Sequence, residues 1–223
     1  MDLFLNLVLV LLVGLLPAVV LCALAGRWDL WNVWATAGIF SALATFQSLA
    51  LYRRDPAILK ERTTLGTGGR VRWTVGLVFV VVYIVQWIIA GLDQRFGWSN
   101  VVPTAGVVVG IVLFTIGWGL FTWSSLVNPF FSPEVRIQAE RGQRVIHTGP
   151  YALVRHPGYA TNFLMALAAP LALNSLLALI PAVVFAAVVV RVTAIEDRML
   201  QAELAGYAAY AAKVRSRLVP GLW

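Results

Sequence analysis

Between Gly149 and Tyr159 the chain reads Gly-Pro-Tyr-Ala-Leu-Val-Arg-His-Pro-Gly-Tyr, a dense group of turn formers, rings and ionisable side chains in an otherwise apolar polypeptide. Pro157 holds the residue before it out of the helical region and so can aim the His156 ring. His147 precedes a second turn, Thr148-Gly149-Pro150. Either imidazole can donate to a carboxylate, a phosphate or a sugar hydroxyl. No His-Cys-carboxylate cluster of ligand spacing surrounds them in the sequence, so no metal is expected.

A second group follows about 40 residues later. Glu196, beside Asp197, directly follows an apolar run, and an ionisable group at such depth is costly and tends to pair or to serve a site. At 100° per residue Glu196, Glu203, Tyr207 and Tyr210 fall on one stripe of a helix, which suits a pocket wall. For Glu203, Tyr207 and Tyr210 an interfacial face touching headgroups fits the same spacing.

The elements that must position these residues are membrane helices. The chain is 60% hydrophobic and only 12% charged, where soluble chains run near ~25% charged. Apolar runs long enough to cross ~30 Å of hydrocarbon cover Leu3 to Leu24, Leu30 to Tyr52, Trp73 to Leu92 and Pro103 to Val127. The stretch Ala160 to Ile195 is too long for one crossing. Pro170, Asn174, Ser175 and Pro181 predict two helices joined by a turn near Leu173-Asn174-Ser175.

The expected fold is thus all-α, with about six membrane helices, the last two a hairpin, and a C-terminal helix on the cytoplasmic face. Residues 1–127 form the scaffold, with a connector at 53–72. Residues 128–223 carry the chemistry as a loop (128–160), a hairpin (161–195) and a C-terminal helix (196–223).

Charge sets the orientation. With the last two helices crossing and returning, all Lys and Arg except Arg27 and Arg95 fall on the side of the N-terminus. The positive-inside rule makes that side cytoplasmic, with both termini there. Trp28, Trp31, Trp34 and Trp98 then gather at the far interface as an aromatic belt. The net charge of +7 follows from this topology and from anionic lipids, so it is no argument for nucleic acid. The Ala/Val/Leu-rich composition has a bacterial character and suggests an inner membrane.

The first run, ending Ala23-Leu24-Ala25, resembles a signal peptide, but its n-region holds Asp2 and no basic residue, so it reads as a span. Cys22 lies inside it and reads as a small core residue. Gly106-x-x-x-Gly110, with Gly117 and Gly119 below, suits close helix packing within the chain or between copies. The oligomeric state is left open by the sequence.

Taken in order and spacing, His147-Thr-Gly-Pro-Tyr151, Arg155-His-Pro-Gly-Tyr159, Glu196-Asp197, Gly206-Tyr-Ala-Ala-Tyr210 and Arg217-Leu-Val-Pro220 resemble the isoprenylcysteine carboxyl methyltransferase family, whose relatives include membrane phospholipid methyltransferases. The resemblance covers roughly 128 to 223. Arg54-Asp55-Pro56 to Arg62 is similar to a cytoplasmic connector of such proteins. Two positions depart from the pattern: the second carboxylate is Asp197 rather than Glu, and Thr161 stands where Gly is frequent.

The resemblance implies an enzyme that binds S-adenosylmethionine at the cytoplasmic membrane face and methylates a lipophilic acceptor arriving from the bilayer. That acceptor could be a prenylcysteine-like carboxylate, a phospholipid amine or another small hydrophobic nucleophile. His147, Gly149, Tyr151, His156, Pro157, Tyr159 and Glu196 would line the cofactor site, with Tyr207 and Tyr210 beside them. Glu196 suits the cofactor's amino group or ribose hydroxyls, and His156 its carboxylate. Arg155 and Arg217 would hold an anionic acceptor by paired N–H bonds, so that they and Glu196 carry the reaction. A phosphate contact in a basic tail is the other reading of Arg217.

Two other readings come from the same motifs. NADPH-dependent sterol reductases share a similar C-terminal pattern but usually have more spans than 223 residues allow. A non-catalytic membrane protein could also keep the fold.

Overall fold

Backbone amides have no water to bond in a bilayer, so apolar runs of this length close their hydrogen bonds internally as helices. The computed structural model describes residues 3–54, 56, 70–99, 101–132 and 135–223, with the backbone alone over 70–79. Its α-helices are α1 (Leu3–Ala25), α2 (Trp31–Arg54), α3 (Arg70–Phe96), α4 (Thr104–Val127), α5 (Pro157–Ala172), α6 (Leu179–Glu203) and α7 (Tyr207–Lys213). Two short 3-10 turns, Ala139–Arg141 and Gly149–Ala152, lie between α4 and α5, and no strand occurs among the described residues. Most of the connector expected at 53–72 lies outside the described residues.

The chain is a membrane protein: α1, α2, α4 and α6 are each long and apolar enough to cross a bilayer. That is four such helices among the described residues, where about six were expected. At 16 residues α5 spans only about 24 Å, short of the hydrocarbon core.

The long helices close a ring. α1 packs on α2 and α3, α2 on α4, α4 on α5, α5 on α6, and α6 returns to α3. Small residues permit a close approach between α4 and α5. A Cβ on Gly110 would come within 2.4 Å of the Ala172 nitrogen, and one on Gly117 within 2.6 Å of Met165. These two glycines of the expected packing stripe therefore find their partner inside the chain.

The hairpin between α5 and α6 turns where proline and the Asn-Ser pair predict. Asn174 adopts a left-handed φ of 53°, which Asn tolerates better than most residues. Its neighbours hold the turn from several helices. Asn32 Nδ2 donates to the Ala172 carbonyl at 2.9 Å, and Gln94 Nε2 to the carbonyls of Leu173 and Asn174 at 3.0 and 2.9 Å. Ser175 Oγ donates to buried Asp93, and the Val102 amide to Asn174 Oδ1 at 2.9 Å. This polar grip fixes where α6 starts, and with it the residues carried at its far end.

The C-terminal segment departs from the expected single helix over 196–223. Glu196 and Asp197 belong to α6, which runs on to Glu203. The chain then breaks at Leu204–Gly206, where Gly206 takes a left-handed φ of 81°. The break separates Glu203, which is exposed, from Tyr207 and Tyr210, which are buried. The single stripe joining them does not form, because a continuous helix was its premise.

Candidate functional site

The loop after α4 is ordered by its own polar side chains. Asn128 receives the Phe130 amide on Oδ1 at 2.9 Å and donates through Nδ2 to the Tyr151 hydroxyl at 3.1 Å. Gln138, almost wholly buried, donates to the Phe130 carbonyl at 2.7 Å, and its own amide donates to Gln143 Oε1 at 2.6 Å. Arg141 donates to Gln138 Oε1 and to the Pro129 carbonyl. Buried polar groups so fully paired make a loop rigid rather than mobile.

Proline at the first helical position starts α5, since its missing N–H would have no partner there anyway. Gly158 follows because Phe131 crosses the helix at that point: a Cβ there would lie 2.6 Å from the Phe131 ring. Gly149, at a left-handed φ of 58°, opens the 3-10 turn that buries Pro150 and Tyr151.

These elements deliver Arg155 and His156 to α6, and the residue that receives them is Asp197. Its side chain is fully buried. Oδ1 accepts from Arg155 Nε at 2.7 Å and from the Tyr207 hydroxyl at 2.9 Å, with His156 Nε2 3.1 Å away. Oδ2 accepts from Arg155 Nη2 at 2.9 Å, Gln201 Nε2 at 2.8 Å and Arg217 Nε at 2.9 Å. Burying a carboxylate is costly unless it is paired, and the guanidinium groups of Arg155 and Arg217 offset that cost.

Arg155 is committed on every side. Besides Asp197, its Nη1 donates to the carbonyls of Val214 and Arg215 at 2.9 and 2.8 Å. The backbone extends the clamp, as the Arg155 amide donates to the Ser216 carbonyl at 2.9 Å and the His156 amide to that of Arg217 at 3.0 Å. The loop, α6 and the stretch after α7 are thus tied at one buried charge.

Beside this hub lie two further pairs. Tyr159, on the first turn of α5, donates to Glu196 Oε2 at 2.7 Å, and both side chains are half-buried. Tyr210 donates to the Tyr151 carbonyl at 2.6 Å and meets Tyr207 edge-to-face with ring centroids 5.4 Å apart. Burial pushes the Tyr210 phenol up to about 12, with Asp197 adding to the rise and Arg155 opposing it. Burial, then Asp197, raises Tyr207 further still. Both are therefore neutral hydrogen-bond donors at physiological pH.

Arg155, His156, Tyr207 and Arg217 thus meet directly. Tyr159 and Glu196 form a pair on the adjoining faces of α5 and α6, and Tyr151 joins through Tyr210. His147 is exposed, and no contact links it to the Asp197 cluster among the described residues. Sequence reasoning singled out Glu196 and passed over Asp197, Gln201, Asn128 and Gln138. No signal in the sequence separates Asp197 from Glu196, since both follow Arg155 at nearly the same distance and only the packing of α6 turns Asp197 inward.

Residues 105–205 match the family model described as phospholipid methyltransferase. The matched stretch takes in α4 almost entirely, the Arg155-His156 loop, α5 and α6, and stops just short of Tyr207. Over that stretch the resemblance to the membrane methyltransferases, which include the isoprenylcysteine carboxyl methyltransferases, holds. No curated protein matches the chain.

Proposed function

We propose that this chain, whose residues 105–205 carry the phospholipid methyltransferase pattern, transfers a methyl group from S-adenosylmethionine to a lipophilic acceptor at the cytoplasmic face of a bacterial inner membrane. The observation that carries the reading is the buried Asp197 hub, which gathers Arg155, His156, Tyr207 and Arg217 beside the Tyr159–Glu196 pair. The orientation rests on charge: in the topology expected from the sequence, all Lys and Arg but Arg27 and Arg95 fall on the side of the Arg155 loop.

The side chains fit the donor's functional groups. Tyr159 holds one oxygen of Glu196, which leaves the other for the donor's ammonium or ribose hydroxyls. His156 stands beside it with Nε2 on Asp197 and Tyr207, its ring orientation fixed for the donor's carboxylate. In this reading Gly149, Tyr151, Pro157, Tyr207 and Tyr210 would wall the site, while His147, which is exposed, would reach the donor only from outside the hub. When bound, S-adenosylmethionine supplies a sulfonium methyl carbon open to in-line attack, with S-adenosylhomocysteine as leaving group.

What remains for the protein is alignment and exclusion of water, which together can supply about 7–11 kcal/mol. Arg155 is a positioning residue in this account, because Nε, Nη1 and Nη2 are already spent on Asp197 and two carbonyls. Arg217, half-buried and bound to Asp197 through Nε, keeps its Nη edge for an anion. The acceptor classes that fit are a prenylcysteine-like carboxylate, a phospholipid amine or another small hydrophobic nucleophile.

The test is direct. Protein in bilayer nanodiscs is incubated with methyl-tritiated S-adenosylmethionine and a panel of these acceptors, and the organic phase is counted. Label in the lipid phase with wild type and none with Glu196→Gln supports the proposal. Equal label in both would remove Glu196 from the site, and no label with any acceptor would count against transfer.

A further inference from the structure

The stretch 216–223 folds back on itself around Arg217. The amides of Arg217, Leu218 and Val219 all point to the Trp223 backbone oxygen, at 2.8, 2.9 and 3.3 Å. Gly221, at a left-handed φ of 75°, makes the return possible, and its amide donates to Ser216 Oγ at 2.9 Å. The return brings the Trp223 ring under the Arg217 guanidinium, 4.9 Å from carbon to centroid.

Arg217 is therefore gripped twice. Asp197 fixes Nε at 2.9 Å, and the indole face holds the guanidinium plane by cation–π attraction. The Nη edge keeps its donors, and the side chain is 30% exposed, unlike Arg155 at 7%. On the same loop Val219 and Leu222 stand out at 40% and 80% exposed. A planar cation with a fixed edge beside exposed apolar side chains suits an amphiphile with an anionic head, since guanidinium pairs carboxylate or phosphate through two parallel bonds.

We propose that Trp223 is a positioning residue that presents the Nη edge of Arg217 to an anionic group of the acceptor, so that the site prefers acceptors bearing a carboxylate or phosphate next to an apolar chain. This rests on the methyl-transfer reading for the word acceptor only. The preference itself is a binding property and can be measured without turnover.

Calorimetric titration of the full chain in dodecyl maltoside, with dodecylthioacetic acid and with its methyl ester, tests it. Losing a charge-assisted pair predicts that wild type binds the acid at least about ten-fold tighter than the ester. Trp223→Ala should bring the two affinities together. Trp223→Leu should do the same while still filling the space, and Trp223→Phe, which keeps a ring face, should retain most of the preference. Loss of the acid preference in Leu with retention in Phe separates positioning from packing.

Equal affinity for acid and ester in wild type would overturn the proposal, as would an unchanged preference in both Trp223→Ala and Trp223→Leu. Repeating the titrations with saturating S-adenosylhomocysteine tells the two carboxylates apart. A preference that persists supports an acceptor site, and one that vanishes assigns the edge to the donor and overturns it. If S-adenosylhomocysteine gives no heat of its own, the methyl-transfer reading fails while the acid and ester comparison still stands.

Discussion

Asp197 and Arg155 meet face to face in the interior, Nε and Nη2 of the guanidinium donating to the two carboxylate oxygens at 2.7 and 2.9 Å. They lie 42 residues apart, one in the loop before α5 and the other near the end of α6. Their pairing sets the distance between the two elements that carry His156, Tyr159 and Glu196.

Removing the charge at Asp197 should therefore unfold the site end first. Asp197→Asn leaves Arg155 buried without its counter-ion, for which breaking a buried pair suggests a loss of about 3–5 kcal/mol. Thermal melts in detergent should show this as a lower midpoint. A midpoint equal to wild type would mean that the pair does not hold these elements together.

Glu196, one residue earlier, should behave in the opposite way. It is half-buried with Tyr159 as its partner, and Gln can still accept that hydrogen bond. Glu196→Gln is expected to stay within about 1 kcal/mol of wild-type stability. Its affinity for S-adenosylmethionine should fall about ten-fold or more, because a charged acceptor is lost. Calorimetry beside a melt distinguishes the two carboxylates in one pair of variants.

Which carboxylate mattered was not legible in the sequence. Neighbours on a helix point about 100° apart, and only the packing of α6 against the loop decides which faces inward. Other features could be read ahead of the structure. Long apolar runs mark α1, α2 and α4, and Asn174 and Ser175 mark the hairpin turn. The break at Gly206 could not, because glycine is compatible both with a motif and with a helix end. The loop over 216–223 was equally hidden, being held by backbone amides that carry no residue code.

Gly158 predicts a steric dependence. The Phe131 ring occupies the space a Cβ would need, at 2.6 Å, so Gly158→Ala should cost about 1–3 kcal/mol of stability. Phe131→Leu in the same chain should recover part of that loss. Additive losses in the double variant would show that the two positions do not share the space.

Alkaline pH should weaken the fold through the tyrosines. The folded Tyr210 phenol is raised from the ordinary 10 to about 12, and Tyr207 is raised further. The folded state therefore holds protons that the unfolded chain releases first. This contribution is complete below pH 10 and fades as pH rises through about 12. Absorbance at 295 nm should show a fraction of the tyrosine signal appearing only with unfolding, and Tyr207→Phe should reduce it. Full ionisation near pH 10 with the fold intact would contradict the buried placement of these rings.

The central claim is that the end of the bundle around Asp197 binds a methyl donor, and calorimetric titration of wild-type protein with S-adenosylmethionine tests it most directly, with S-adenosylhomocysteine and NADPH in parallel. The account predicts saturable binding of the first two and silence from NADPH. Binding of NADPH alone, or of none of the three, would contradict it.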